Sequence, residues 1–161
     1  MRLKKKSRLW VAALALMLIP GIVSLLYLRT APHKPIDSLA VLPFANARGD
    51  RDAESLSEFL TEKLTTSLSQ LPNLTVISRE AAALYKGKDT DARTAGHELG
   101  ARAIVRGRVE RRDDELLVSA ELVDSGDNGI IWSQQYGIQP AEIAARQDEI
   151  AADIHEHIHF H

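Results

Sequence analysis

An uncharged apolar run that opens on Leu9 and closes on Leu28, LWVAALALMLIPGIVSLLYL, divides this chain into parts that cannot share one core. Its twenty residues, at about 1.5 Å of helical rise each, cover about 30 Å, the thickness of a bilayer's hydrocarbon. A membrane-spanning helix over residues 9–28 is the expectation, with Pro20 and Gly21 as a kink whose freed backbone groups find partners nearby. Arg2, Lys4, Lys5, Lys6 and Arg8 precede the run, and only Arg29, His33 and Lys34 follow it closely. Positive charge stays on the cytoplasmic side, so the amino terminus is expected inside and everything past Arg29 outside. In a diderm bacterium that is an inner-membrane anchor with a periplasmic domain. A cleaved signal peptide would need a shorter apolar core and a small-x-small peptidase site, whereas this run ends in Tyr27, Leu28, Arg29 and Thr30. The expected organisation is a cytoplasmic basic tail (residues 1–8), a single-pass anchor (9–28), a linker (29–37) and one outer domain (38–161).

Charge sharpens when it is split at the anchor. The chain has 20 Lys and Arg against 22 Asp and Glu; residues 1–34 hold 7 of the basic residues and none of the acidic ones, leaving 13 against 22, or −9, for residues 35–161. An acidic domain without a basic stripe is a poor match for nucleic acid, whose affinity comes largely from phosphate neutralisation. The absence of cysteine removes disulfides, thiolate catalysis and a lipid-bearing cysteine. Neither a Gly-Lys-Ser/Thr phosphate loop nor a dinucleotide fingerprint is present, and no cofactor is expected.

The outer domain is long enough for one core and not comfortably for two. Residues 38–44 (SLAVLPF) read as a buried strand. In residues 53–71, Leu56, Phe59, Leu60, Leu64, Leu68 and Leu71 recur three or four apart with Glu54, Glu58, Glu62 and Lys63 opposite, which predicts an amphipathic helix. Asp52 is its expected cap and Pro72 its stop. Residues 74–78 (LTVIS) read as a second strand, parallel to the first because of the helical connection. A short helix capped by Asp91 follows, burying Ala92, Ala95 and Leu99 and closing on Gly100 in a left-handed conformation. Residues 103–111, 115–124 and 129–136 read as three strands joined by hairpin turns, one through Asp113 and Asp114, the other carrying Asn128-Gly129. A last helix starts near Pro140, with Ile143, Ile150, Ile154 and Ile158 inward. The fold class is α/β (α+β): a mixed β-sheet in the order β-α-β-α-β-β-β-α, preceded by one transmembrane helix.

With the elements placed, SLAVLPFAN with a following GD, LTTSLSQLPNLTVISR, YKGK, HELGARAIVRGRVERR, LLVSAELVDS, GIIWSQQY and RQDEIAADI together resemble the TolB amino-terminal-like domain, also described as FlgO-like, over nearly all of residues 38–154. The resemblance implies an extracytoplasmic domain behind one transmembrane helix, often linked to a kinase, cyclase or winged-helix regulator and followed by helical repeats. It implies assembly or protein binding as the role and carries no catalytic residues across. The chain departs from the pattern where Phe59 stands in place of a common glycine and Arg108 in place of a common serine. With eight residues before the expected anchor, neither a cytoplasmic effector nor following repeats are expected here, and the sequence has no cysteine for lipidation as in the flagellar members.

Several residues are candidate sites. Asn46, Gly49, Asp50 and Asp52 sit in the loop after the first strand, where open α/β sheets bind ligands, and could hold a cation or meet a partner; Asp52 as a helix cap with the others in a turn is the simpler account. Trp132 and Tyr136 share one side of the last strand, as an aromatic contact or as core. His155, His157, His159 and His161 have the spacing of paired imidazole ligands on a frayed helix. Tyr85, Lys86, Gly87 and Lys88 form an exposed recognition loop or a solvated turn. Arg106, Arg108, Arg111 and Arg112 form a basic patch that cross-strand pairing with Glu115 and Glu121 accounts for. The expected role is a noncatalytic binding or assembly module for envelope protein partners. A metal-binding envelope protein using the histidine tail, or a truncated relative of a membrane kinase or regulator, is the alternative.

Overall fold

A computed structural model describes residues 35–46, 48–139 and 142–159. The expected tail and anchor, residues 1–28, lie outside the described residues; among the described residues no helix is long and apolar enough to cross a membrane. Among the described residues the domain is a mixed six-stranded sheet with four helices. Apolar β1 (Ser38–Val41) lies inside the sheet, parallel to both β3 (Thr75–Val76) and β4 (Ala103–Arg112). The parallel crossover is made by α1 (Arg51–Leu68), as the helical connection predicts. From β4 the chain runs through two hairpins into β5 (Glu115–Asp124) and β6 (Ile130–Ile138), both antiparallel to their predecessors. Positive φ at Asp113 and Asn128 turns the two hairpins. The strand order is β3-β1-β4-β5-β6, with β2 (Ala45–Asn46) also beside β4. Two short helices, α2 (Arg79–Ala83) and α3 (Ala92–Leu99), precede β4, and α4 (Ile143–His159) ends the domain.

Residues 38–44 do not form the continuous strand the apolar run suggests. Pairing runs Val41 to Val105 and resumes Ala45 to Arg108, so four residue steps on one side oppose three on the other. The extra residue makes a bulge around Pro43, which has no amide hydrogen to give the ladder. Phe44 N donates instead to Thr61 Oγ1 of α1 at 3.1 Å, and Thr61 Oγ1 donates on to Ser57 O at 2.7 Å. The Phe44 ring then lies over Gly107, where a Cβ would come within 2.3 Å of it.

The first helix starts at Arg51, capped by Asp50 and not by Asp52; Asp50 Oδ1 accepts from the amides of Asp52 and Ala53, both at 3.0 Å. Gly49, at φ +70°, makes the turn into that cap. The helix stops at Leu68, short of Leu71, and the second parallel strand shrinks to Thr75–Val76 because Ser78 already caps α2. Asp91 and Gly100 (φ +68°) do close α3 as their residue types predict.

The sheet's two faces are filled differently. One packs Leu39, Val41, Val105, Val109, Val118 and Leu122 against Leu56, Leu60, Leu64 and Leu68 of α1 and Ile150, Ile154 and Ile158 of α4. The other packs Ala40, Ile104 and Val123 against Ala82 of α2 and Ala92 and Ala95 of α3. Arg102 and the buried Asp124 pair where β4 begins and β5 ends.

Candidate functional site

The loop after the first strands is held by its own groups. Asn46 Nδ2 donates to Asp50 O at 2.8 Å and Glu54 Oε2 at 3.1 Å, while Asn46 Oδ1 accepts from the amides of Arg48 and Gly49 at 3.3 and 3.0 Å. Arg111 of β4 donates to both carboxylates, Nε to Asp50 Oδ2 at 3.1 Å and a terminal nitrogen to Asp52. The Ala53 amide and then the Arg111 guanidinium hold the Asp50 pKa below the usual carboxylate value. Asn46, Gly49, Asp50 and Asp52 thus come together as a knotted turn whose carboxylates already have cationic and amide partners.

Arg111 reaching Asp50 and Asp52 also shows that cross-strand pairing explains only part of the basic patch. Arg106 Nε does donate to Glu121 Oε2 at 2.9 Å, its register neighbour on β5. Glu115, opposite Arg112 in the ladder, accepts instead from Gln139 Nε2 at 3.2 Å. Arg108 is exposed and forms no ion pair among the described residues.

Arg106 and Arg108 line a site that spacing alone does not reveal. The connection from α2 to α3, carrying Tyr85, Lys88 and Thr90, meets Arg106, Arg108 and Ser119 of β4 and β5 around an open groove of about 480 Å³. Tyr85 anchors the connection: its ring is buried, and its hydroxyl donates to Glu98 of α3, which pushes the phenol's pKa up. Lys88 Nζ lies 5.6 Å from the Tyr85 ring centroid. Lys86, next in the loop, pairs with Glu54 at 2.7 Å and Glu58 at 3.0 Å of α1, which raises its pKa. Gly87, at φ +71°, lets the chain turn between the two lysines. The groove brings together the recognition loop and half of the basic patch, two features far apart in sequence. Asp89 and Glu121 line it as well, with Glu121 already paired to Arg106, so Lys88 and Arg108 are left as donors for a ligand carboxylate or peptide carbonyl. Ser119 Oγ accepts from Gln135 Nε2 at 3.1 Å, and no histidine lines the groove to activate it.

Trp132 and Tyr136 share the face of β6 that packs into the core with α4, 9% and 5% exposed, so little ring surface is left for a partner. Trp132 lies 5.9 Å from the His157 ring, tilted by 38°. The Tyr136 hydroxyl donates to Asp153 Oδ2 at 2.5 Å, and burial, then Asp153, pushes its pKa far up. His157 Nδ1 lies 2.7 Å from the accepting Asp153 carbonyl, which leaves Nε2 as that ring's nitrogen for a metal. His155 shares α4, whereas the side chains of His159 and His161 lie outside the described residues. Among the described residues no three His, Cys, Asp or Glu side chains are grouped to hold a metal ion.

Comparison with known proteins places this architecture. A putative adenylate cyclase 3 from Rhizobium meliloti (strain 1021) is 37% identical over 123 residues, which is 76% of this chain and 21% of that protein. The chain therefore spans about a fifth of the curated relative it matches. Among solved structures, lipoprotein GNA1162 from Neisseria meningitidis superposes with a TM-score of 0.54 at 16% identity, covering 73% of this chain and 96% of that one. TolB from Acinetobacter baumannii does so with a TM-score of 0.53 at 15% identity, covering 78% of this chain and 29% of that one. These likenesses establish a TolB-like fold, as the resemblance of the strand and helix segments implies. A family model described as HilA/YgeH-like transcriptional regulator, second domain, matches residues 35–153. That match spans well over half the sequence, and the chain belongs to the HilA/YgeH-like second-domain family.

Proposed function

We propose that this domain is a noncatalytic, extracytoplasmic protein-binding module, anchored in the inner membrane through residues 9–28. The observation that carries the reading is the half-open sheet face. Beside a well-filled apolar core, β4 and β5 leave Arg106, Arg108 and Ser119 in water around a groove without a nucleophile and base pair. A partner segment with carboxylates and exposed backbone would lie there, and the Asn46–Asp52 turn, which directly follows the groove residue Ala45, would form its rim. The five Lys and Arg before residue 9, against Arg29 and Lys34 just after residue 28, support an outside location. Anchoring would raise the module's effective concentration near envelope proteins.

The module would serve a larger regulatory assembly. Two facts support this: the family is described as the second domain of transcriptional regulators, and the curated relative is described as a putative adenylate cyclase. One module beside two different outputs fits binding better than chemistry. Proximity labelling from the periplasmic side, on the full-length protein in cells, tests the reading. The expected result is labelling of the domain and a reproducible set of envelope neighbours. Labelling confined to the cytoplasmic side would overturn it.

A further inference from the structure

One edge of the sheet is blunt and the other is not. Edge strand β3 has two residues, too few to template a neighbour. At the other edge β6 runs from Ile130 to Ile138 without Lys, Arg, Asp, Glu or Pro, and Ile130 is 58% exposed. Charged side chains and prolines are the usual guards of such an edge, and the domain, at −9, has charge to spare. Among the described residues β6 pairs with β5 alone.

The unguarded stretch is also self-complementary. Trp132, Ser133, Gln134, Gln135 and Tyr136 read nearly alike in both directions. Laid antiparallel on itself about Gln134, the stretch sets Trp132 opposite Tyr136, Ser133 opposite Gln135 and Gln134 opposite its own copy. Directly opposed residues share a face, so the buried aromatic positions fall opposite each other and the exposed Ser133, Gln134 and Gln135 meet amide or hydroxyl partners. Two acidic domains would touch where neither carries charge.

Gly137 adds an independent observation. It is exposed, its φ is not in the left-handed region, and a Cβ there would meet only the mobile end of Glu115, at 3.3 Å. Nothing within the domain demands a glycine, which weakens a strand. In the two-fold register Gly137 lies opposite Ile131 of the second copy. Ile131 is the residue that β6 bulges out, since Leu122 pairs with Trp132 while Val123 pairs with Ile130. A bulged β-branched side chain needs room opposite, and glycine supplies it.

We infer that β6 pairs antiparallel with β6 of a second copy of this chain about Gln134, joining two sheets into one. The groove on β4 and β5 stays open in that dimer, so the inference stands apart from the proposed binding role. The chain has no cysteine, so Gln134→Cys introduces a unique thiol. In the full-length protein, mild oxidation with copper–phenanthroline should link Gln134→Cys into a covalent dimer and leave Ser55→Cys, on the outer side of α1, unlinked. Gln134→Lys and Gln134→Glu should each weaken the dimer at least about tenfold in sedimentation equilibrium, because like charges then face each other on the axis. Mixing the two variants should restore it, which a folding defect would not do. A monomeric wild type, no covalent dimer from Gln134→Cys, a dimer unmoved by Gln134→Lys, or a failure of the mixture to recover would each overturn the inference.

Discussion

The two faces of the sheet divide the work of this domain. Towards α1 and α4 the contacts are leucine, isoleucine and valine, each contributing about 1.5–3 kcal/mol on burial. Towards α2 and α3 they are mostly alanine, which lets short helices sit close but removes little apolar area from water. The alanine-built layer covers Ala40, Ile104 and Val123 and leaves Arg108, Ser133 and Gln135 exposed. Stability resides on the first face, and the proposed binding role falls to the second.

The sharpest way to break this contrast is Leu60→Ala, a fully buried side chain of α1. It should cost about 3 kcal/mol, read as a lower midpoint in chemical denaturation. Gly107→Ala strikes where the groove backs onto the core. Its Cβ would sit 2.3 Å from Phe44 and 2.5 Å from Ser119 O, so a loss of about 2 kcal/mol is expected by the same measurement. On the alanine side Ile104→Val should cost only about 1 kcal/mol. A loss there larger than that of Ile154→Val, the same change at a fully buried position on the first face, would erase the difference between the faces.

Acid should loosen the alanine side through Asp91. Its carboxylate accepts from Thr94 Oγ1 at 2.8 Å and Thr94 N at 3.1 Å, and from Asn128 Nδ2 at 3.3 Å, which lowers its pKa from 3.8 to about 2. A depressed carboxylate pKa stabilises the fold fully above the unfolded value and loses that contribution as pH falls through the folded one. Stability should therefore fall between about pH 4 and pH 2, and Asp91→Asn should flatten that part of an acid titration. The smallest stability change belongs to Arg108→Glu, within about 0.5 kcal/mol because the side chain is exposed and unpaired. Its effect should appear instead in partner capture.

Much of this fold is legible in sequence because periodicity is a local signal. The leucines of α1 keep helical spacing, and β5 runs over Glu115–Asp124 as its alternation indicates. Elements too short to repeat are not legible. The five residues of α2 show no period, and the bulge at Pro43 depends on where Thr61 stands when α1 packs. The cap shifts from Asp52 to Asp50 because Gly49 turns the chain two residues earlier. The groove was hidden for a related reason. Its walls, Tyr85 to Thr90 and Arg106 to Ser119, become neighbours only through sheet order, although each was legible on its own as a candidate loop and a basic patch.

Photo-crosslinking from the two faces in living cells tests the central claim most directly. A photoreactive residue at Ser119, in the groove, is compared with one at Thr66 on the outer side of α1, each in the full-length protein. The account predicts that Ser119 captures a defined partner, that Arg108→Glu abolishes the capture, and that Thr66 captures nothing comparable. Equal capture from both positions, or capture from Ser119 indifferent to Arg108→Glu, would contradict it.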